Sequence, residues 1–259
     1  MGTTIDVETQ DGWAMVRIAR EAKRNALDRA TRDGLRDAFE SLSGKARAIV
    51  LTGTGGSFCA GLDLKEREAD KAAGRPDTAG AEAIALNMAI RNHPAIFIAG
   101  VNGLALGGGV TLINLCDLAV ASHDAKLGAP EIGFATYAGM AGPTTQLLLT
   151  RKRAAWFLLT AERLDAATAL DWGLINEVAE PEALLPRCRE LAARIAGFDA
   201  AALAETKKAL NHIPTVVTDW QEAMEHGQQV NRAIRTRTSA AAEGLRHFAG
   251  GGRNPGQGS

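Results

Sequence analysis

Two glycine clusters carry the most legible chemistry in the chain: Gly53-Thr54-Gly55-Gly56-Ser57 and Gly107-Gly108-Gly109. The first follows the apolar run Ala46–Thr52, and the second comes after Ala95–Val101. Glycine-rich turns of this kind serve two chemistries. They cradle phosphates, or they present backbone N–H groups to an oxygen that gains negative charge during a reaction. The phosphate reading fails in detail. No Lys-Ser or Lys-Thr follows Gly53–Phe58, as a mononucleotide loop requires. Phe58 stands where the third glycine of a dinucleotide loop belongs, and the later triplet fails the same test. The second chemistry survives. Two loops at strand ends can aim N–H groups at one carbonyl oxygen, and a helix opening near Gly108 adds its dipole. Plain turns are nevertheless the commoner use of such glycines.

Other reactive side chains yield less. Cys59 invites a nucleophile reading, but no histidine stands near it in sequence, and a small buried cysteine is more often inert packing. His93 precedes Pro94 at an expected helix end and reads as structural. His212, His226 and His247 lack metal-ligand spacing, and no metal is expected. Cysteines 59, 116 and 188 are odd in number and widely spaced, which fits a reducing compartment.

Elements that position these loops follow from patterning. Thr4–Glu8 and Trp13–Ile18 flank Asp11-Gly12, a hairpin signal. Asp28–Leu42 carries Leu35, Ala38, Phe39 and Leu42 at helical spacing, with Asp28 as a cap. Ala46–Thr52, Ala95–Val101 and Asp117–Ala121 read as buried strands, and Gly109–Cys116 as a helix. Lys65–Gly80, charged and containing Gly and Pro, reads as a surface loop more mobile than its flanks. From about Thr150 the pattern turns helical: Ala154–Leu159, Ala166–Asp171, Pro181–Ile195, Ala200–Leu210 and Val216–Phe248, with one strand at Leu174–Ala179. Gly250–Ser259 reads as a loose tail. The class is α/β with a helical C-terminal appendage.

Composition removes whole classes of function. The 259 residues include 29 Lys plus Arg and 30 Asp plus Glu, a formal charge of −1. That balance gives no footprint for nucleic acid or for an anionic membrane surface. No apolar run approaches the ~18–20 residues that span a bilayer. Met1–Glu8 has neither a basic nor an apolar leader segment, so a cytoplasmic location is expected.

Four ordered stretches then carry a resemblance: AIVLTGTGGSFCAGLDLKE (48–66), AGVNGLALGGGVTLINLCDLAVA (99–121), AKLGAPEI (125–132) and LLTAERLDAATALDWGLINEV (158–178). With Lys23-Arg24-Asn25-Ala26-Leu27, they resemble the crotonase, or enoyl-CoA hydratase/isomerase, superfamily across nearly the whole chain. The resemblance implies a ββα spiral core over residues 1–196 and a C-terminal helical region over 197–259 that builds homotrimers or dimers of trimers. It implies an acyl-CoA thioester substrate whose enolate is stabilised, with no cofactor beyond the coenzyme A of the substrate.

Carried over residue by residue, the family's oxyanion donors fall on the N–H groups of Leu62 and Gly108. Lys23, Arg24 and Lys65 match positions that meet the nucleotide and its phosphates, the backbone at Ala60 matches the adenine pocket, and Arg253 matches basic tail residues. Lys65–Gly80 and Ala81–Asn92 are expected to border the acyl pocket. Asp63 and Asp117 are read as architecture, Asp63 as the cap of a helix turn.

The chain departs from the family hydratases at one carboxylate. These carry two glutamates; the second is here Glu131, while Thr111 replaces the first. Adding water across a double bond asks for a base and an acid, and threonine is no base near neutral pH. Moving a double bond asks for one group that removes and returns a proton. The resemblance therefore favours an isomerase with Glu131 as general acid/base. The alternatives are a hydratase, or a hydroxycinnamoyl-CoA hydratase-lyase, using one glutamate, and a non-catalytic acyl-CoA-binding paralogue. The lyases hold a phenol with tyrosines, and the one tyrosine here, Tyr137, weakens that alternative. Tyr137 can offer its hydroxyl to the acyl group or to water; an aromatic packed on the core is its preferred reading.

Overall fold

The structure, a computed structural model, describes residues 4–216, 220–240 and 243. Strands β1 (Ile5–Gln10) and β2 (Trp13–Ile18) form the expected hairpin, with Gln10 opposite Trp13 and Gly12 at φ +75° in the two-residue turn. Helix α1 (Arg29–Leu42) follows, its N-terminus capped by Asp28, which accepts from the Thr31 N–H at 2.9 Å. Then come β3 (Ala48–Gly53), β4 (Ser57–Cys59), α2 (Leu64–Ala72), α3 (Ala79–Asn92), β5 (Ile96–Val101), β6 (Leu104–Leu106) and α4 (Gly108–Leu115). The chain continues through β7 (Leu118–Ser122), β8 (Lys126–Gly128), a 3-10 turn (Pro130–Phe134), α5 (Ala141–Leu148), α6 (Arg151–Thr160), β9 (Leu164–Asp165), α7 (Ala166–Trp172) and β10 (Glu177–Ala179). Helices α8 (Pro181–Ala196), α9 (Ala200–Val216) and α10 (Trp220–Arg237) close the described chain.

Two sheets result. The larger has the order β1-β2-β3-β5-β7-β10, parallel from β2 onward. Its central strands β2, β3, β5 and β7 are buried on both faces, as near-continuous apolar strands require, while the edge strand β1 is largely exposed. Successive side chains alternate sides. Val16, Leu51, Ala99 and Ala121 join the core shared with α1 and α4, while Met15, Val50, Ile98 and Val120 pack against Leu184, Cys188 and Ala192 of α8. The smaller sheet runs β4-β6-β8-β9, with β4, β6 and β8 mutually parallel and β9 antiparallel.

Two expectations need correction. Lys65–Gly80 is not a loop: its first half lies in α2, and only Ala73–Thr78 connects to α3. Asp63 accepts from the Lys65 and Glu66 N–H groups, and the LKEREADKA run is rich in helix formers, so its charges mark an exposed helix face rather than a loop. Those charges are also tied down. Glu66 accepts from the Arg29 N–H, Asp70 pairs with Arg29 and Arg75, and Arg67 pairs with Asp77. The helical reading over Val216–Phe248 is interrupted: Val216 closes α9, α10 ends at Arg237, and a break at Thr238, whose hydroxyl donates to Asp199, precedes helical Ala240 and Glu243. The remainder of that reading past residue 243, with His247, the Gly250–Ser259 tail and Arg253, lies outside the described residues.

Helix α9 is pinned by a buried cation. Lys207 is 2% exposed, stands 2.8 Å from Asp117 Oδ2, and donates to the carbonyls of Ile90 and Ala95. Asp117 also accepts from the Phe97 N–H, the architectural role expected of it. Removing the lysine leaves a mostly buried carboxylate unpaired. We expect Lys207→Met to destabilise the protein by about 3 kcal/mol in urea unfolding.

Candidate active site

The three parallel strands of the small sheet are neighbours in the order β4, β6, β8, so their C-terminal ends lie side by side. Each end delivers one candidate group. Past β4 the chain runs Ala60-Gly61-Leu62; past β6 it enters Gly107 and the first turn of α4; past β8 it enters the 3-10 turn that carries Glu131. Residues separated by up to 69 positions thus meet because the strands before them pair.

Leu62 and Gly108 come together at the first two ends. A Cβ on Gly61 would lie 3.1 Å from the Gly108 nitrogen, and one on Gly108 would lie 3.6 Å from the Leu62 nitrogen. Gly61, at φ +86°, allows this approach where a side chain would strike the Leu106 carbonyl. Leu62 forms a parallel bridge with Leu27: the Leu27 N–H donates to Gly61 O at 2.8 Å, and the Asp63 N–H donates to Leu27 O at 3.2 Å. In that geometry the Leu62 N–H points to the side away from Leu27. Gly108 is the first residue of α4, so its N–H has no intrahelical acceptor and stands at the positive end of the helix dipole. The arrangement can hold two donors toward one oxygen.

Glu131 lies against Gly107. A Cβ on Gly107, whose φ is +50°, would meet Glu131 Oε1 at 2.5 Å, so the carboxylate occupies space that only glycine leaves open. The other oxygen, Oε2, is buried without a hydrogen-bond partner among the described residues. Burial pushes the carboxyl above the usual carboxylate range, only partly countered by its own backbone N–H. A carboxylate so poised can exchange a proton with a neighbouring carbon acid.

Thr111 is buried, and its hydroxyl donates to the Gly107 carbonyl at 3.3 Å, so it is engaged within the first turn of α4. Ala60 donates its N–H to the Arg24 carbonyl at 3.0 Å, which seats those two residues together. Lys23, Arg24 and Lys65 are exposed, Lys65 in the first turn of α2, three residues past Leu62. Cys59 is buried beneath this loop, its sulfur accepting from the Gly61 N–H, and burial pushes its thiol up to about 12. That environment fits the inert packing expected of it.

Tyr137 does not pack into the core as expected. It is 59% exposed, its ring lies over Gly142, and its hydroxyl accepts from Gln146 Nε2 at 2.7 Å. The missing Cβ of Gly142 gives the ring its seat on α5, so the tyrosine faces a surface groove of about 590 Å³ bordered by Ile132 and Leu158. Neither Glu131, Leu62 nor Gly108 lines that groove. Two contributors escaped sequence reasoning. Gly107 cradles the carboxylate, a role only its φ and the Glu131 contact disclose; Arg20 bonds both Asp28 and Asp63 around the Leu27–Leu62 bridge. A lone arginine after a strand gives no signal for that.

Comparison with known proteins gives the family and the fold. The model of the enoyl-CoA hydratase/isomerase family matches residues 8–253. A crotonyl-CoA hydratase of Syntrophomonas wolfei is 33% identical over 225 residues, covering 85% of each chain. A mevalonyl-coenzyme A hydratase of Aspergillus fumigatus is 31% identical over 241 residues, covering 85% of this chain and 86% of its own. The crystal structure of an enoyl-CoA hydratase from Bacillus anthracis superposes with a TM-score of 0.87 at 27% identity, covering 99% of this chain and all of that one. Among the described residues, no helix is long and apolar enough to cross a membrane.

Proposed function

The chain belongs to the enoyl-CoA hydratase/isomerase family and so to enzymes acting on CoA thioesters; from that premise we propose that it relocates the double bond of an enoyl-CoA with Glu131 as its one acid/base. The carrying observation is the half-buried Glu131, one oxygen unpartnered, set at the strand ends that hold the Leu62 and Gly108 N–H groups. In the 3-enoyl direction Glu131 removes a proton from C2. The electron pair moves into the thioester carbonyl, and the two N–H groups hold the oxygen that gains charge. The same carboxyl returns the proton to C4, the double bond ends between C2 and C3, and no water is consumed. Lys23, Arg24 and Lys65 meet the phosphates of coenzyme A, and the backbone at Ala60 borders the adenine. Thr111, with its hydroxyl on the Gly107 carbonyl, supplies no second base.

Single-glutamate hydration is the second reading, favoured by relatives named as hydratases. Initial rates on paired substrates separate the two. Isomerisation of a 3-enoyl-CoA running at least tenfold faster than hydration of the matching 2-enoyl-CoA supports the proposal; the reverse order overturns it.

The reading extends to assembly as a homotrimer or a dimer of trimers. The segment after Glu131 exposes the large apolar side chains of Phe134, Leu147, Leu148, Trp156 and Leu159, which assembly would cover. Light scattering is expected to give the mass of three or six chains; a monomer at micromolar concentration contradicts this.

A further inference from the structure

We propose that Arg20 is a positioning residue for the reaction: its guanidinium fixes the direction in which Leu62 presents its N–H group. The inference rests on the functional reading above. It starts from the bridge that frames Leu62. Leu27 is flanked in sequence by Ala26 and Asp28, and Leu62 is followed by Asp63. Arg20 reaches all three of these flanking residues. Its Nη1 donates to the Ala26 carbonyl, and its Nη2 stands 2.9 Å from Asp28 Oδ2 and 3.0 Å from Asp63 Oδ2. One planar fork therefore ties together both sides of the bridge whose orientation turns the Leu62 N–H away from Leu27.

The neighbourhood makes this more than a surface ion pair. The side chains of Arg20, Asp28 and Asp63 are 15%, 19% and 12% exposed, so the pairs are only lightly screened by solvent. Asp28 caps α1 through the Thr31 N–H, and Asp63 caps α2 through the Lys65 and Glu66 N–H groups. Burial opposes the charge on Asp63, but Arg20 and these N–H groups outweigh it and hold the carboxyl below the usual range. Arg20 is itself held from behind: its N–H donates to Asn25 Oδ1, and its carbonyl accepts from the Asn25 N–H. The chain from Asn25 through Arg20 to Asp63 ends one residue from the donor. Displacements near 1 Å at reacting groups cost on the order of 10²-fold in rate, so a fork that sets this orientation acts on the transition state.

The test compares wild type with Arg20→Lys, which keeps the charge and loses the fork, on a 3-enoyl-CoA. The expected result is a ten- to hundredfold lower kcat with KM within about twofold and a folded protein by circular dichroism. A second reading needs no turnover. The infrared carbonyl stretch of bound butyryl-CoA, labelled with carbon-13 at the thioester, is lowered by the oxyanion donors. That lowering is smaller in Arg20→Lys and unchanged in Glu131→Gln. A variant with wild-type kcat and a wild-type carbonyl shift overturns the inference. Wild type that binds butyryl-CoA with a lowered stretch yet turns over no enoyl-CoA overturns the functional reading and leaves the Arg20 comparison of the stretch decisive. Should Arg20→Lys fail to fold, Asp63→Asn decides. Its amide oxygen can still cap α2, so loss of the carbonyl shift supports the proposal and its retention overturns it.

Discussion

Glu131→Gln is expected to lower kcat/KM on an enoyl-CoA by about 10³-fold while acyl-CoA affinity stays near that of wild type. The magnitude is that of removing a sole acid/base, since no second carboxylate stands at Thr111 to share the work. Glutamine keeps the shape beside Gly107 and loses the charge and the capacity to take up and return a proton. The same substitution carries a stability signature of opposite sign. Burial raises the Glu131 pKa in the folded protein, so the folded state holds this proton more readily than the unfolded chain. Stability from this group is therefore greatest below the ordinary glutamate pKa, roughly 4, and is lost as pH rises through the raised folded value. The neutral amide bears no such loss. Thermal unfolding should give Glu131→Gln the higher Tm at pH 8 and equal values at the acid end. The wild-type kcat/KM profile should rise with pH through a midpoint above the usual carboxylate range, since the base must be ionised. A Glu131→Gln protein retaining a tenth of wild-type activity would remove Glu131 from the mechanism.

Gly107→Ala and Gly108→Ala, one residue apart, should behave oppositely. At Gly107 the new methyl would lie 2.5 Å from Glu131 Oε1, and the backbone stands at φ +50° and ψ −110°, a region an L side chain rarely adopts. Strain of about 1–3 kcal/mol and displacement of the carboxylate act together, and a loss of at least 10²-fold in kcat is expected. At Gly108 the nearest atom to the methyl is Gly61 Cα at 3.4 Å, ordinary contact, and the N–H donor is kept. Gly108→Ala should retain activity within about tenfold. Steady-state kinetics on both variants checks the contrast; equal losses would mean that the Gly107–Glu131 contact is not what sets the rate.

Most elements of the large sheet and its helices were legible in the chain, and the three-residue strands of the small sheet were not. The hairpin, α1 and the buried strands β3, β5 and β7 announce themselves because burial on one face or both leaves a period of two or 3.6, or an unbroken apolar run. Strands β4, β6 and β8 are three residues each, too short to show any period, yet they bring Leu62, Gly108 and Glu131 to one place. Helix α5 opens Ala-Gly-Pro-Thr-Thr, residues of mostly poor helix propensity, and escaped notice for that reason. The site residues were therefore legible through four motifs in order and not through the elements that place them. Lys65–Gly80 misled because charge was taken for looseness, whereas Glu66 and Asp70 spend their charge on Arg29 and Arg32, and Arg67 pairs with Asp77. Arg20 had no local signature at all; its partners lie 8 and 43 residues away and converge only through the Leu27–Leu62 bridge.

The central claim is that one carboxylate moves a proton and no water enters the product. It is tested most directly by incubating the protein with a 3-enoyl-CoA in oxygen-18 water and resolving early products by mass spectrometry. The account predicts a 2-enoyl-CoA without label, formed by wild type and lost in Glu131→Gln. A labelled 3-hydroxyacyl-CoA as the first and major product would contradict it.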